Sequence, residues 1–217
     1  MRSQDSLQIR KALTDDDWSF VRRVCCETGN AGEPIERARE DFFAEFWVGP
    51  YEKLESAWTY IAWSGGKRVG YMTGCPNTKS HQFRKKFFFS LPLFLQTRIF
   101  RNFIRNADVE RFEARFLGKQ KSPEESYPPE IQSRLLSEFP AHLHINLKTE
   151  ARGLGAGRRL IEAFSSDLRA LGISGIHVHC GEKPVGFYLK TGFQEIGKIE
   201  FKPGVWVYAL GLKTGSA

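Results

Sequence analysis

The chain reads as an α/β fold with about seven strands flanked by helices and a helical insertion ahead of the central strand. Three observations predict it. Residues 142–192 run strand, glycine turn, helix, strand, helix. The first 75 residues run strand, two helices, then a hairpin. The end of the chain closes on two more strands joined by Lys202-Pro203-Gly204.

Taken in order, Leu7 to Leu13 has strand alternation and ends at Thr14-Asp15-Asp16-Asp17. Those residues supply an N-cap and first-turn carboxylates for a helix from Trp18 to about Thr28. Gly29-Asn30-Ala31-Gly32-Glu33-Pro34 is a loop, and a second helix is expected from Ile35 to Trp47. Ala57 to Trp63 and Val69 to Gly74 are strands either side of Ser64-Gly65-Gly66-Lys67, a hairpin turn. Residues 77–139 are longer than an ordinary connection and accommodate two or three helices, a polar loop at Lys119–Pro129 and a helix from Pro129 to Glu138. Their phenylalanines, interleaved with Lys and Arg, are expected to bury this insertion against the domain or a second subunit, giving a homodimer. The competing reading is a lid over an acceptor pocket. Beyond the central segment, Gly175–Cys180, Glu195–Phe201 and Val205–Leu210 read as strands, Glu182–Thr191 as a short helix, and the tail from Lys213 as frayed.

The turn Arg152-Gly153-Leu154-Gly155-Ala156-Gly157 lies between the apolar alternation Leu143, Ile145, Leu147 and the helical run Arg158–Leu171. Such a turn aims backbone N–H groups outward at the positive end of a helix, a geometry that holds a pyrophosphate without side chains. Further on, Phe187-Tyr188-Leu189-Lys190-Thr191-Gly192-Phe193 places a phenol on a helix that stops at glycine.

Taken jointly, these motifs resemble the GCN5-related N-acetyltransferase superfamily. Its acetyl-CoA signature, (Arg/Gln)-x-x-Gly-x-(Gly/Ala), is matched by Arg152, Gly155 and Gly157. Its aromatic-Tyr…Gly-Phe signature is matched by Phe187, Tyr188, Gly192 and Phe193. The resemblance implies a central mixed, mostly antiparallel twisted sheet in one domain spanning residues 1–217. It also implies acetyl-CoA or CoA as the bound ligand and an amine, in a small molecule or a protein, as acceptor.

A narrower likeness covers nearly the whole chain. Ser137–Asn146, Leu171-Gly172-Ile173-Ser174-Gly175 and Phe187–Lys198 are similar to the acetyltransferase-like C-terminal domain of animal O-GlcNAcases. That domain lacks a good glycine cradle. This chain keeps Arg152, Gly155 and Gly157, as a free-standing bacterial relative with acetyl-CoA binding intact would. No glycosidase catalytic domain is expected within these residues, so the likeness does not imply hexosaminidase activity.

The resemblance also distributes roles. Leu147 falls where the family's central strand splays, so its backbone would pair with the pantetheine arm and polarise the thioester carbonyl. Arg152, Gly153, Leu154, Gly155, Ala156 and Gly157 would form the pyrophosphate cradle, with charge from Arg158. Tyr188 would give a proton to the departing thiolate; the alternative is a core tyrosine packed behind Phe187. Where the family often has Asn and Ala, seven and four residues before this tyrosine, the chain has Gly181 and Pro184. That removes one amide contact to pantetheine. A base must take the amine's proton, and histidine titrates in the right range. His142 and His144 share one face of a strand by its two-residue period, as do His177 and His179 on the next. His144 and His142 are the candidates for the base, against the bland reading of buried core histidines. No metal site is expected from them. Two function classes thus stand open, an acetyltransferase and a non-catalytic acetyl-CoA-binding module, with a dimeric interaction protein as a third.

Composition narrows the rest. The hydrophobic share of 41% and charged share of 26% suit a globular chain rather than a disordered one. The formal charge of +7 suits a polyanionic ligand such as CoA. Lys and Arg are scattered and no nucleic-acid motif is present, so nucleic acid is not an expected partner. No stretch approaches the ~20 apolar residues of a membrane span, and Met1–Asp5 lacks a secretory leader. A cytoplasmic location and no membrane partner are therefore expected. Cys25, Cys26, Cys75 and Cys180 lack disulfide or zinc spacing and read as reduced, buried thiols.

Overall fold

The computed structural model describes residues 7–151 and 153–215. The chain begins with β1 (Gln8–Lys11), α1 (Asp15–Thr28), α2 (Glu40–Leu54), β2 (Thr59–Ser64) and β3 (Lys67–Cys75). The insertion holds α3 (Thr78–Arg84), α4 (Leu91–Leu95), α5 (Ala107–Phe116) and α6 (Pro129–Glu138). There follow β4 (Ala141–Leu147), α7 (Ala156–Ala170), β5 (Gly175–Gly181), α8 (Glu182–Lys190), β6 (Gln194–Lys202) and β7 (Val205–Lys213). The seven strands form one mixed sheet in the order β1-β2-β3-β4-β5-β7-β6. The chain divides into two compact units. The first takes the chain up to Cys75 together with His144–Phe164; the second takes Pro76–Leu143 and the chain from Ser165.

In the first unit β1, β2 and β3 are antiparallel neighbours. Gly65 and Gly66, both at positive φ, make the two-residue turn of the β2–β3 hairpin. Thr14 caps α1 with its hydroxyl on the Asp17 N–H. The Asp17 carboxylate returns to the Thr14 and Leu13 N–H groups and takes the Arg68 guanidinium of β3 at 2.9 Å. Although burial opposes it, these contacts hold Asp17 below its ordinary pKa. Phe20, Val21 and Val24 from α1, Val48 from α2, and Ile61 and Tyr71 from the sheet close the core.

One expected helix shifts at both ends. The second helix starts later than Ile35 and continues past Trp47, through Gly49-Pro50, to Leu54. Pro50 costs the helix a backbone hydrogen bond, but Val48, Gly49, Pro50 and Tyr51 are all buried, and that packing outweighs the loss. The four cysteines are free of disulfides, and Cys25, Cys26 and Cys75 are buried, whereas Cys180 is only half-buried rather than buried as expected. Burial pushes the Cys25 thiol up to about 11 and the Cys26 thiol to about 12, so neither is a nucleophile at neutral pH.

In the second unit β4 pairs parallel with β5 through Ala141↔Ile176 and His142↔His177. From β5 the ladder passes antiparallel to β7 along the strand's whole length, and from β7 to β6. Tyr127, Leu135, Phe139, Ile196 and Ala209 form a core here. The tail is anchored farther than expected. Thr214 is buried, its N–H reaches Ser174 O at 3.2 Å, and its carbonyl accepts from Arg169 Nε at 2.8 Å. In the insertion, Phe89 and Phe112 are buried, and Phe94 stacks on Phe116 at 4.6 Å. Phe83, Phe87, Phe88 and Phe100 instead remain 48–67% exposed. Burial therefore accounts for only part of the insertion's aromatic content.

Candidate functional site

The cradle turn lies in the first unit, between the Thr149–Ala151 turn and α7. Arg152 lies outside the described residues. Gly153 and Gly155 sit at φ +80° and +75°, conformations that side chains resist, and a Cβ on either would meet nothing within 4 Å. The space over the turn is thus open, and Leu154 stands half-exposed at its crest. Arg159 N–H donates to Gly155 O at 3.0 Å, the first α7 bond. The N–H groups of Ala156, Gly157 and Arg158 come before any intrahelical acceptor and stand at the positive end of a four-turn helix. This donor set fits a pyrophosphate. The Arg158 guanidinium reaches Glu162 Oε1 at 2.8 Å on the exposed side of the helix. Glu150, exposed, pairs with Lys148 Nζ at 3.4 Å.

Leu147 enters the same unit through a feature that sequence reasoning missed. Gly70 of β3 lies so close to β4 that a Cβ there would be 2.9 Å from Asn146 O and 3.1 Å from Leu147 Cα. Lys148 N–H donates to Val69 O at 3.0 Å beside it. Asn146 Nδ2 donates to Thr28 Oγ1 at 2.5 Å, and Thr28 in turn donates to Val24 O at 2.7 Å. The end of β4 is therefore fixed from β3 and from the last turn of α1. A glycine inside a strand was the signal that would have pointed to it.

His144 is half-buried and packs edge-on against Trp47 and Tyr51 of α2, with ring centroids 6.2 and 5.7 Å away. Neither aromatic was linked to the site in the sequence: Trp47 stands at the expected helix end and Tyr51 beyond it. His142, in the second unit, has Nδ1 at 2.9 Å from Thr78 Oγ1, and its ring lies between His81 and His177 at 5.2 and 5.8 Å. The strand alternation thus gives its two histidines different neighbours.

His177 is a structural residue. It is buried, and its Nδ1 makes a 2.6 Å bond with Phe139 O, where the ring nitrogen must be the donor. Desolvation first, and His179 second, depress its pKa to about 4. In the unfolded chain it would take a proton near pH 6.5. The sign follows: full stability above pH 6.5, and loss as the pH falls from 6.5 toward 4, amounting to about 3 kcal/mol. Urea unfolding across that range should give this slope, and His177→Gln should flatten it. An equal slope in the variant would contradict the assignment.

Tyr188, in the second unit, is 5% exposed. Its ring packs edge-on against Phe187 and Phe193, at 5.1 and 5.2 Å. Its carbonyl accepts from Thr191 N–H, Thr191 Oγ1 and Phe193 N–H, so the residue's backbone is held at the end of α8, just ahead of Gly192. Burial raises the phenol pKa well above its usual value, keeping it protonated. Gly181 is the N-cap of α8 and offers no side-chain oxygen.

No family model matches the sequence. Solved structures do resemble the fold. SsHAT is 27% identical, with a TM-score of 0.71 over 97% of this chain and 100% of its own. A GCN5-related N-acetyltransferase from Kribbella flavida is 15% identical, with a TM-score of 0.54 over 97% and 99% of the two chains. YncA from Salmonella typhimurium, whose structure holds its cofactor acetyl-CoA, is 10% identical, with a TM-score of 0.52 over 97% and 95%. The strand order, the glycine turn ahead of α7 and these likenesses agree: the chain has the fold of the GCN5-related N-acetyltransferases.

Proposed function

We propose that the chain, acting as one domain over residues 1–217, binds acetyl-CoA and transfers its acetyl group to an amine. The observation that carries this is the open turn Gly153–Gly157, with two positive-φ glycines under empty space and the N–H groups of the first turn of α7 ahead of any intrahelical acceptor. The likeness to YncA, which holds acetyl-CoA, supports the same ligand. The kinship with the C-terminal domain of animal O-GlcNAcases belongs to this reading, on the residues given above.

In this reading Arg152, Gly153, Leu154, Gly155, Ala156 and Gly157 hold the pyrophosphate, and the α7 dipole with Arg158 supports its charge. The Leu147 backbone aligns the pantetheine arm and polarises the thioester carbonyl. The neutral amine attacks that carbonyl, the C–N bond forms and the C–S bond breaks. His144 takes the amine proton, since it shares a unit with the cradle and its ring is fixed by Trp47 and Tyr51; His142 is the second choice. Tyr188 meets the departing thiolate. Because its pKa lies above the ~8.5 of a thiol, it acts first as a hydrogen-bond donor to developing negative charge and yields its proton late.

Burial of Tyr188 favours a second reading, a non-catalytic acetyl-CoA-binding module. The two are separated by incubating the protein with acetyl-CoA and a panel of primary amines while following release of CoA thiol. Amine-dependent release that Gly155→Trp abolishes supports the enzyme; binding without release supports the module.

A further inference from the structure

From Thr78 to Phe100 the insertion is one helical run, in which α3 and α4 alternate with wider i→i+5 turns at Lys85–Ser90 and Gln96–Phe100. Four residues overshoot a full α-helical turn by about 40°, and they fall short of a wider one. Alternating the two keeps every fourth residue on one line. The inward line agrees: His81, Phe89, Leu93 and Thr97 are buried, and Lys85 between them is half-buried. Two residues farther along, half a turn away, stand Phe83, Phe87, Leu91, Leu95 and Ile99. Every one is apolar, and they are 37–65% exposed. This is the face where a water-facing helix carries charge.

The surroundings of that line say what it suits. Residues 78–105 contain seven Lys and Arg and no Asp or Glu. At the end of the run Thr97, Arg98, Arg101, Phe103 and Arg105 line a cavity of about 450 Å³. Arg98 and Arg105 share the carboxylate of Glu113 at 3.4 and 2.9 Å, and Glu110 lies 3.7 Å from Arg105. Arg101, held at φ +50°, pairs with no carboxylate among the described residues. Guanidiniums in this number suit a phosphate. A second copy docked symmetrically would set one basic stretch against another. A nucleic acid would leave the apolar line wet.

We propose that this face docks on an anionic phospholipid surface, with the apolar line in the headgroup–acyl boundary and the arginine cavity on a headgroup phosphate. The helix lies on the surface rather than crossing it; no helix among the described residues is long and apolar enough to span. This refines the sequence expectation of no membrane partner, which rested on the lack of a span.

The test is co-sedimentation of the full chain with phosphatidylcholine vesicles, with and without phosphatidylserine. Binding only to the anionic vesicles, weakened by added salt, is expected. The pair Phe87→Glu and Leu91→Glu should lower partitioning by more than about tenfold, and Arg101→Glu should lower it without touching the apolar line. All three positions are exposed, so circular dichroism and melting should match the wild type. No binding, equal binding to neutral vesicles, or binding unchanged in the variants overturns the proposal. So does a concentration-dependent dimer that the Phe87/Leu91 pair dissolves, which would give the face to a second copy.

Discussion

Tyr188→Phe is expected to lower turnover by about 10²-fold while leaving acetyl-CoA affinity unchanged. The variant removes one oxygen and keeps the ring that packs on Phe187 and Phe193, so the fold should be untouched. Its effect should fall on kcat, because the hydroxyl is used where negative charge develops on sulfur rather than where the ligand is held. The backbone of Tyr188, fixed by three hydrogen bonds from Thr191 and Phe193, remains the same in either protein. Unchanged turnover would return this tyrosine to core packing.

Gly70→Val is expected to cost about 3 kcal/mol of stability or more. The new side chain would meet the Asn146 carbonyl and the Leu147 Cα, which are backbone atoms and cannot rotate aside. Those atoms belong to the strand end that Thr28 and Val69 also fix, so displacement there would disturb the position proposed for pantetheine. Gly66→Ala is the control. It carries φ +71° with nothing within 4 Å, so it should pay only backbone strain of about 1–2 kcal/mol. Denaturant midpoints of the two variants measure the difference, and equal losses would show that the close approach costs nothing.

The sequence was most legible where a local signal and the tertiary context agreed. Thr14 and the three aspartates start α1, Gly65-Gly66 turns the hairpin, and Pro129 opens α6, each at or near the expected place. The glycine turn could be read because positive φ at Gly153 and Gly155 is a demand that residue type alone reveals. Legibility failed where burial overrode local signals. The second helix is expected to end at Trp47, yet α2 continues through Gly49-Pro50 because those residues pack inward. Thr214 reads as tail, yet it is tied down by Ile173, Ser174 and Arg169. The four-residue line on the insertion was hidden for another reason. A 3.6-residue period cannot bring Phe83, Phe87, Leu91, Leu95 and Ile99 onto one face, and the wider turns that do so have no residue-type signature.

The most direct test of the cradle is calorimetric titration of acetyl-CoA and CoA into the wild type and Gly155→Trp. The indole would be forced into the open space over the turn, on a residue at φ +75°. Saturable wild-type binding of both ligands, absent in a variant that still melts cooperatively, is the predicted result. No binding to the wild type would contradict the account, leaving the fold of an acetyltransferase without its ligand.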